Sequence, residues 1–71
     1  MNLNDLDNYE IAEFIDRFVR GERNRAILKR RFIDEITIEK LAEEFDLSVS
    51  QTKRILQISK EQLFSKLEKM N

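Results

Sequence analysis

Almost nothing in this sequence interrupts a helix. The 71 residues include no proline and a single glycine, Gly21. Proline and glycine are the residues that most often break helices. Apolar residues make up 41% of the chain, which is enough for a small core despite 38% charged residues. We therefore predict an all-α fold. Residues 1–71 form a single domain in this prediction, because a chain of this length allows only one.

The spacing of apolar residues predicts four helices. We place them at about residues 8–20, 22–33, 38–45 and 49–69. Asp7 and Glu10 have capping-box spacing before the first helix, and Gly21 is suited to end that helix in a left-handed turn. The inward faces of the first two helices are predicted at Ile11, Phe14, Ile15 and Phe18, and at Ile27, Leu28 and Phe32.

The fourth helix is predicted to be long and unbroken. One narrow stripe, at about 100° per residue, contains Val49, Thr52, Leu56, Leu63, Leu67 and Met70. We expect the end of this stripe to pack on the first helix or on a second copy of the chain. Ile58 and Phe64 fall off the stripe and are candidates for contact with a partner.

Residues 37–58 have the layout of a helix-turn-helix. Thr37 can cap the third helix, and Asp46 interrupts its apolar pattern. Ser48 and Gln51 then have the spacing of a capping box at the start of the fourth helix. A short helix, a tight turn and a second capped helix form the arrangement with which many proteins enter the major groove of DNA.

The same stretch resembles region four of the bacterial sigma-70 factors, which reads the −35 promoter element and contacts the RNA polymerase core. The likeness covers roughly Glu22 to Leu67. The matching residues are Arg31, Phe32, Thr37, Glu39, Leu41, Ala42, Leu47, Ser48, Val49, Ser50, Lys53 and Arg54. The order and spacing of these residues together carry the resemblance, since each motif alone is loose.

Three residues depart from that family's pattern. Glu35 and Asp46 stand where glycine is usual, and Thr52 stands where an aliphatic residue is usual. Aspartate tolerates a left-handed backbone better than most residues, so we expect Asp46 to preserve the turn. Glu35 indicates a different loop before the third helix. Arg30 also occupies a position where the family often has an aliphatic residue.

The resemblance implies a four-helix domain of the sigma region 4 kind, with double-stranded DNA as its ligand and the RNA polymerase core as a further partner. The sequence lacks the other sigma regions, so we do not expect a complete sigma factor. It favours a sequence-specific transcription regulator, for which a phage or mobile element is a natural carrier.

The residues on the outward side of the fourth helix indicate which side chains would contact DNA bases. Arginine and glutamine pair well with guanine and adenine edges. The residues predicted to contact bases are Ser50, Gln51, Arg54 and Gln57. The opposing interpretation is the polar surface of an ordinary bundle helix.

Charge is segregated although the net charge is only −1. Residues 17–31 carry seven basic residues and one acidic residue, whereas residues 1–16 and 34–46 are acidic blocks. The residues predicted to contact DNA phosphates are Ser48, Lys53, Arg23, Arg25, Lys29, Arg30 and Arg31. A solvated face with ordinary ion pairs is the alternative interpretation of the basic run.

Several classes of function lack their usual residues. The chain has no cysteine and no histidine, so thiolate chemistry and the commonest general base and metal ligand are absent. We expect no enzyme activity, no metal and no cofactor. No apolar run approaches the roughly 20 residues that span a bilayer, and no signal peptide is visible. We therefore expect a cytoplasmic protein without membrane contact.

Two other functions stay open. The acidic blocks favour a protein-interaction module that binds RNA polymerase or a sigma factor without touching DNA. A helix-turn-helix can also belong to an accessory protein of DNA packaging or recombination. The sequence leaves open a homodimer through the first or last helix, the DNA target and the sign of regulation.

Overall fold

The computed structural model describes residues 6–69 of the chain. Its helices are α1 (Asn8–Phe18), α2 (Glu22–Phe32), α3 (Ile38–Glu44) and α4 (Val49–Lys69). No strand occurs within these residues, and the all-α, four-helix prediction is confirmed. Helix α4 contacts each of the other three helices, and α2 also contacts α1 and α3.

Helix α1 begins at the predicted capping box. The Glu10 amide donates to Asp7 Oδ1 at 2.8 Å, and the Asp7 amide donates to Glu10 Oε1 at 3.4 Å. Each of these bonds satisfies an amide that has no partner within the helix. The spacing of two polar residues was therefore enough to locate the start of α1.

The end of α1 differs from the prediction. The helix stops at Phe18 rather than near Arg20, because Val19 turns into an extended conformation and buries its side chain in the core. The predicted role of Gly21 is wrong. Its φ is positive, at 88°, but it is the residue that precedes α2 rather than the one that ends α1.

The core is built on one stripe of α4. The buried residues of this helix are Thr52, Leu56, Ser59, Leu63 and Leu67. They meet a cluster of buried apolar side chains from the other helices, at Ile11, Ile15, Val19, Ile27, Leu28 and Leu41. The predicted inward residues Phe14, Phe18 and Phe32 are half-buried against this cluster.

The observed stripe differs from the predicted one at its start and in its middle. Val49, the first residue of α4, is 38% exposed, so burial begins one turn later at Thr52. Ser59 was not predicted, yet it is fully buried because it lies on the same face as Leu56. Met70 lies outside the described residues. Ile58 and Phe64 are exposed, at 46% and 37%.

The two buried hydroxyl groups of α4 have different surroundings. Thr52 Oγ1 donates to the Ser48 carbonyl at 2.9 Å, so the threonine fills an apolar position with its polar atom satisfied. Ser59 Oγ has no hydrogen-bond partner among the described residues. A buried polar group without a partner loses its hydration without compensation.

Both residues that replace a glycine of the sigma pattern have positive φ. Glu35, before α3, has φ of 56°, and Asp46, in the turn between α3 and α4, has φ of 55°. The Leu47 amide donates to the Ala42 carbonyl at 2.8 Å, which closes the turn around Asp46. The backbone therefore adopts a conformation that glycine favours at both positions, without glycine at either.

We predict that Glu35→Gly raises the free energy of unfolding by about 0.5–1 kcal/mol. Relief of left-handed strain contributes about 1–2 kcal/mol, and the extra freedom of glycine in the unfolded chain removes about 0.5–1 kcal/mol. Urea unfolding measures the difference. The control Glu39→Gly, within α3, should lower stability by about 1 kcal/mol. Equal losses in both variants would contradict the positive φ of Glu35.

We also predict that Ser59→Ala stabilises the domain by about 1 kcal/mol, because it removes a buried hydroxyl without a partner. Thermal unfolding at fixed pH measures the change. Thr52→Val is the matched variant, because its hydroxyl is satisfied, and its gain should be smaller. A lower unfolding temperature for Ser59→Ala would mean that this hydroxyl has a partner in solution.

Candidate nucleic-acid interface

The start of α4 is fixed by its second capping box. The Gln51 amide donates to Ser48 Oγ at 3.0 Å, and the Ser48 amide donates to Gln51 Oε1 at 2.9 Å. The preceding helix α3 is capped as predicted, with the Lys40 amide donating to Thr37 Oγ1 at 3.3 Å. Two capped helices joined by the turn at Asp46 form the predicted helix-turn-helix unit.

The outward side of α4 is open to solvent. We call Ser50, Gln51, Arg54 and Gln57 the reading face, and all four are exposed. Ser50, Gln51 and Arg54 line a shallow depression of about 220 Å³. Burial of Thr52 and Leu56 on the opposite side fixes the rotation of α4, so the reading face points away from the core.

A cationic groove runs along one flank of the reading face, between α4 and the end of α2. Its volume is about 400 Å³. We call it the flank groove, and its lining residues are Arg31, Phe32, Ile38, Lys53, Leu56, Gln57 and Lys60. Lys60 is not among the residues that the sequence predicted to contact DNA. Its spacing from Lys53 and Gln57, two turns and one turn of helix, is the signal that could have found it.

Most of the basic residues predicted on α2 are engaged within the protein. Lys29 Nζ lies 2.6 Å from Asp16 Oδ1. One guanidinium nitrogen of Arg25 donates to the Val19 carbonyl at 3.0 Å, and one of Arg31 donates to the Ile36 carbonyl at 2.9 Å. Arg23 is exposed at the start of the helix. The basic run is thus partly used to join α2 to its neighbours.

Arg30 joins three segments of the chain. Its guanidinium lies 2.5 Å from Glu44 Oε1, at the end of α3, and 2.9 Å from Asp34 Oδ2, in the loop after α2. Hydrogen bonding to Arg30 lowers the pKa of Glu44 below its ordinary value near 4.5. The hydrogen bonds to Glu44 and Asp34 in turn raise the pKa of Arg30. Arg30 thus forms ion pairs at a position where the sigma pattern often has an aliphatic side chain.

The described residues offer no group of acidic side chains arranged to hold a metal ion. None of the four helices in that part of the chain combines the length and apolar character that a bilayer crossing requires.

Comparison with known families identifies the domain. The chain matches the family described as "Sigma-70, region 4" over residues 21–63, which is 43 of its 71 residues. It belongs to the sigma-70 region 4 family. No curated protein and no solved structure gave a match.

The sigma-70 region 4 family is a family of DNA-binding regulatory domains, not of enzymes. The match includes α2, α3 and the first two-thirds of α4, and therefore the whole helix-turn-helix and the flank groove. Helix α1 precedes the matched residues and packs on α2 and α4. The sequence resemblance to sigma region 4 is thus confirmed, and the chain is a transcription-related helix-turn-helix domain.

We predict that the ion pair of Arg30 with Glu44 makes stability depend on pH. A carboxylate whose pKa is lowered by folding stabilises the folded state above its unfolded pKa, and this stabilisation is lost as the pH falls through the lowered value. At neutral pH, Glu44→Gln should therefore unfold at lower urea concentration than the wild type. The difference should begin to shrink near the ordinary carboxyl pKa of 4.5 and disappear only below the lowered pKa of Glu44.

The matched control is Glu43→Gln, which removes the same charge from the neighbouring exposed position. We expect a smaller difference from the wild type at neutral pH. If Glu44→Gln and Glu43→Gln gave the same pH profile, the pair between Arg30 and Glu44 would not form in solution.

Proposed function

We propose that this protein binds DNA sequence-specifically and regulates transcription, with the reading face of α4 in the major groove. The observation that carries the proposal is an exposed row of hydrogen-bonding side chains on a helix whose start and rotation are both fixed. A preorganised helix loses little conformational entropy on binding, so its side chains can discriminate between bases.

The chemistry of each side chain on the reading face suggests which contact with DNA it makes. Arg54 is the candidate for a bidentate pair with guanine, and Gln57 for a pair with adenine. Gln51 uses its carbonyl oxygen in the capping box, which leaves its amide nitrogen as a donor. Ser50 is short and lies at the helix start, where only a close base edge or phosphate is within reach.

We assign phosphate contacts to basic side chains whose N–H groups can still donate a hydrogen bond. Lys53 forms no ion pair with residues 6–69 and lines the flank groove beside the reading face. Arg25 and Arg31 each donate from one guanidinium nitrogen within the protein, so other N–H groups of the fork stay available.

Ser48 and Arg23 are exposed and complete the proposed phosphate contacts. For Lys29 and Arg30, the paired carboxylates compete with phosphate. We therefore propose a mainly structural role for these two residues.

A protein partner is the second candidate function. Helix α3 exposes Glu39 and Glu43 beside Lys40, and acidic side chains repel a phosphate backbone. This surface favours a basic protein, and the family supports RNA polymerase as that partner. The acidic surface belongs to α3 and the reading face to α4, so substitutions can test the two contacts separately.

We predict that Arg54→Ala and Lys53→Ala weaken DNA binding in different ways. Selection of bound duplexes from a random pool first gives the preferred site. In titrations, Arg54→Ala should lose about 1–3 kcal/mol of discrimination against a mismatch at one base pair. Lys53→Ala should weaken all duplexes alike and lower the slope of log affinity against log salt by about one.

Lys40→Ala is the control, since it removes one positive charge from an exposed position of α3 that is not part of the reading face. It should leave sequence preference unchanged. An unaltered preference in Arg54→Ala would remove Arg54 from the base contacts. Absence of duplex binding by the wild type at low salt, together with retention by RNA polymerase, would favour the protein-interaction alternative.

A further inference from the structure

A second cationic surface lies where α1 meets α2, beside the C-terminal half of α4. An open cavity of about 530 Å³ is bounded there by residues 16–21, Arg25 and Lys66. Its basic residues are Arg17, Arg20, Arg25 and Lys66, which we call the elbow patch. Arg17, Arg20 and Lys66 are outside the set of residues that the sequence predicted to contact phosphate.

The elbow patch keeps its positive charge. Asp16 is the only acidic residue among those that line the cavity, and its carboxylate is paired with Lys29, 2.6 Å away. Lys29 is not part of the cavity wall. No residue of the elbow patch forms an ion pair with residues 6–69. Four cations therefore share one concave surface without a neutralising partner in the described part of the chain.

Several of these groups are held in place by contacts. Arg25 is oriented by its hydrogen bond to the Val19 carbonyl. The Arg17 guanidinium carbon lies 5.7 Å from the centroid of the Phe18 ring, within cation–π range. The Arg20 amide donates to Gln62 Oε1 at 3.2 Å, which ties the junction to α4 next to Lys66. Donors already oriented lose less entropy when they bind an anion.

The elbow patch is separate from the reading face and the flank groove. Lys66 follows Arg54 by 12 residues, a distance of about 18 Å along the axis of α4. It follows Lys60 by six residues, which places the two lysines roughly 120° apart around the helix. No residue lines both the elbow cavity and the flank groove.

The chemistry of the elbow patch favours phosphate over an acidic peptide. The apolar residues of the cavity offer little surface to a peptide side chain, since Val19 is 2% exposed and Phe18 is half-buried with Arg17 over its ring. Protein interfaces depend on apolar anchors at their centre, which this cavity lacks. Guanidinium forks instead match the geometry of phosphate oxygens.

We propose that the elbow patch binds phosphate groups other than those next to the reading face, and that backbone phosphates of duplex DNA supply them. The choice of DNA as the source rests on the proposed function, whereas the phosphate site itself does not. A DNA-binding domain with this second contact gains affinity that is independent of sequence and sensitive to salt.

The phosphate site is tested with inorganic pyrophosphate and the 71-residue chain. Amide resonances of Gly21 and Lys66 should shift and saturate in NMR titrations of the wild type. Arg20→Gln and Lys66→Gln should each weaken this binding about two- to fivefold, the range expected for one exposed ion pair. Lys40→Gln loses the same charge on α3 and should bind like the wild type. Thermal unfolding verifies that all variants remain folded.

The result that overturns the proposal is a wild type whose Gly21 and Lys66 resonances do not respond to pyrophosphate. A response that all three variants weaken equally would also overturn it, because net charge alone would then explain binding. Binding that weakens in Arg20→Gln and Lys66→Gln but not in Lys40→Gln establishes the site.

The source of the phosphate is tested with duplexes. Lys66→Gln should lower the salt slope of duplex binding by about one and weaken all sequences alike. If the wild type binds duplexes with the same slope as Lys66→Gln, DNA is overturned as the source while the proposed function stands. If the wild type binds no duplex, the proposed function fails, and the pyrophosphate titration still decides the phosphate site.

Discussion

The buried stripe of α4 is the constraint on which the rest of the domain depends. Leu56, Leu63 and Leu67 meet apolar side chains of α1, α2 and α3, and each fully buried residue of this kind contributes about 1.5–3 kcal/mol. A helix anchored along one side cannot rotate without exposing those leucines. The same burial that holds the small core together therefore determines which side chains of α4 face solvent, and with them the reading face.

The distribution of charge explains how a protein with a net charge of −1 can present cationic surfaces. Several acidic residues are used internally: Asp16 pairs with Lys29, and Asp34 and Glu44 pair with Arg30. Exposed ion pairs add little stability. Their effect here is that three acidic side chains are neutralised by only two basic residues of α2, Lys29 and Arg30. The cations that remain available are concentrated along the flank groove and the elbow patch.

Features that depend on neighbours in sequence were predictable. Both capping boxes follow from two polar side chains three residues apart, because the bonds form within a single turn. Asp46 was expected to tolerate the turn, and it adopts positive φ there. Glu35 shows the limit of such reasoning. A glutamate gives no local signal for positive φ, and the conformation is imposed by the segments on either side.

By itself the sequence determined the all-α fold, the start of α1, the helix-turn-helix and the membership of the sigma-70 region 4 family, because helix periodicity and capping are short-range properties. Only the tertiary structure decided that α1 ends where Val19 enters the core, and that Ser59 is buried while Val49 is not. It also decided which basic side chains form ion pairs. The partners of Arg30 and the cations around Lys66 come from separate helices. Their proximity arises from packing between distant segments, which no local pattern encodes.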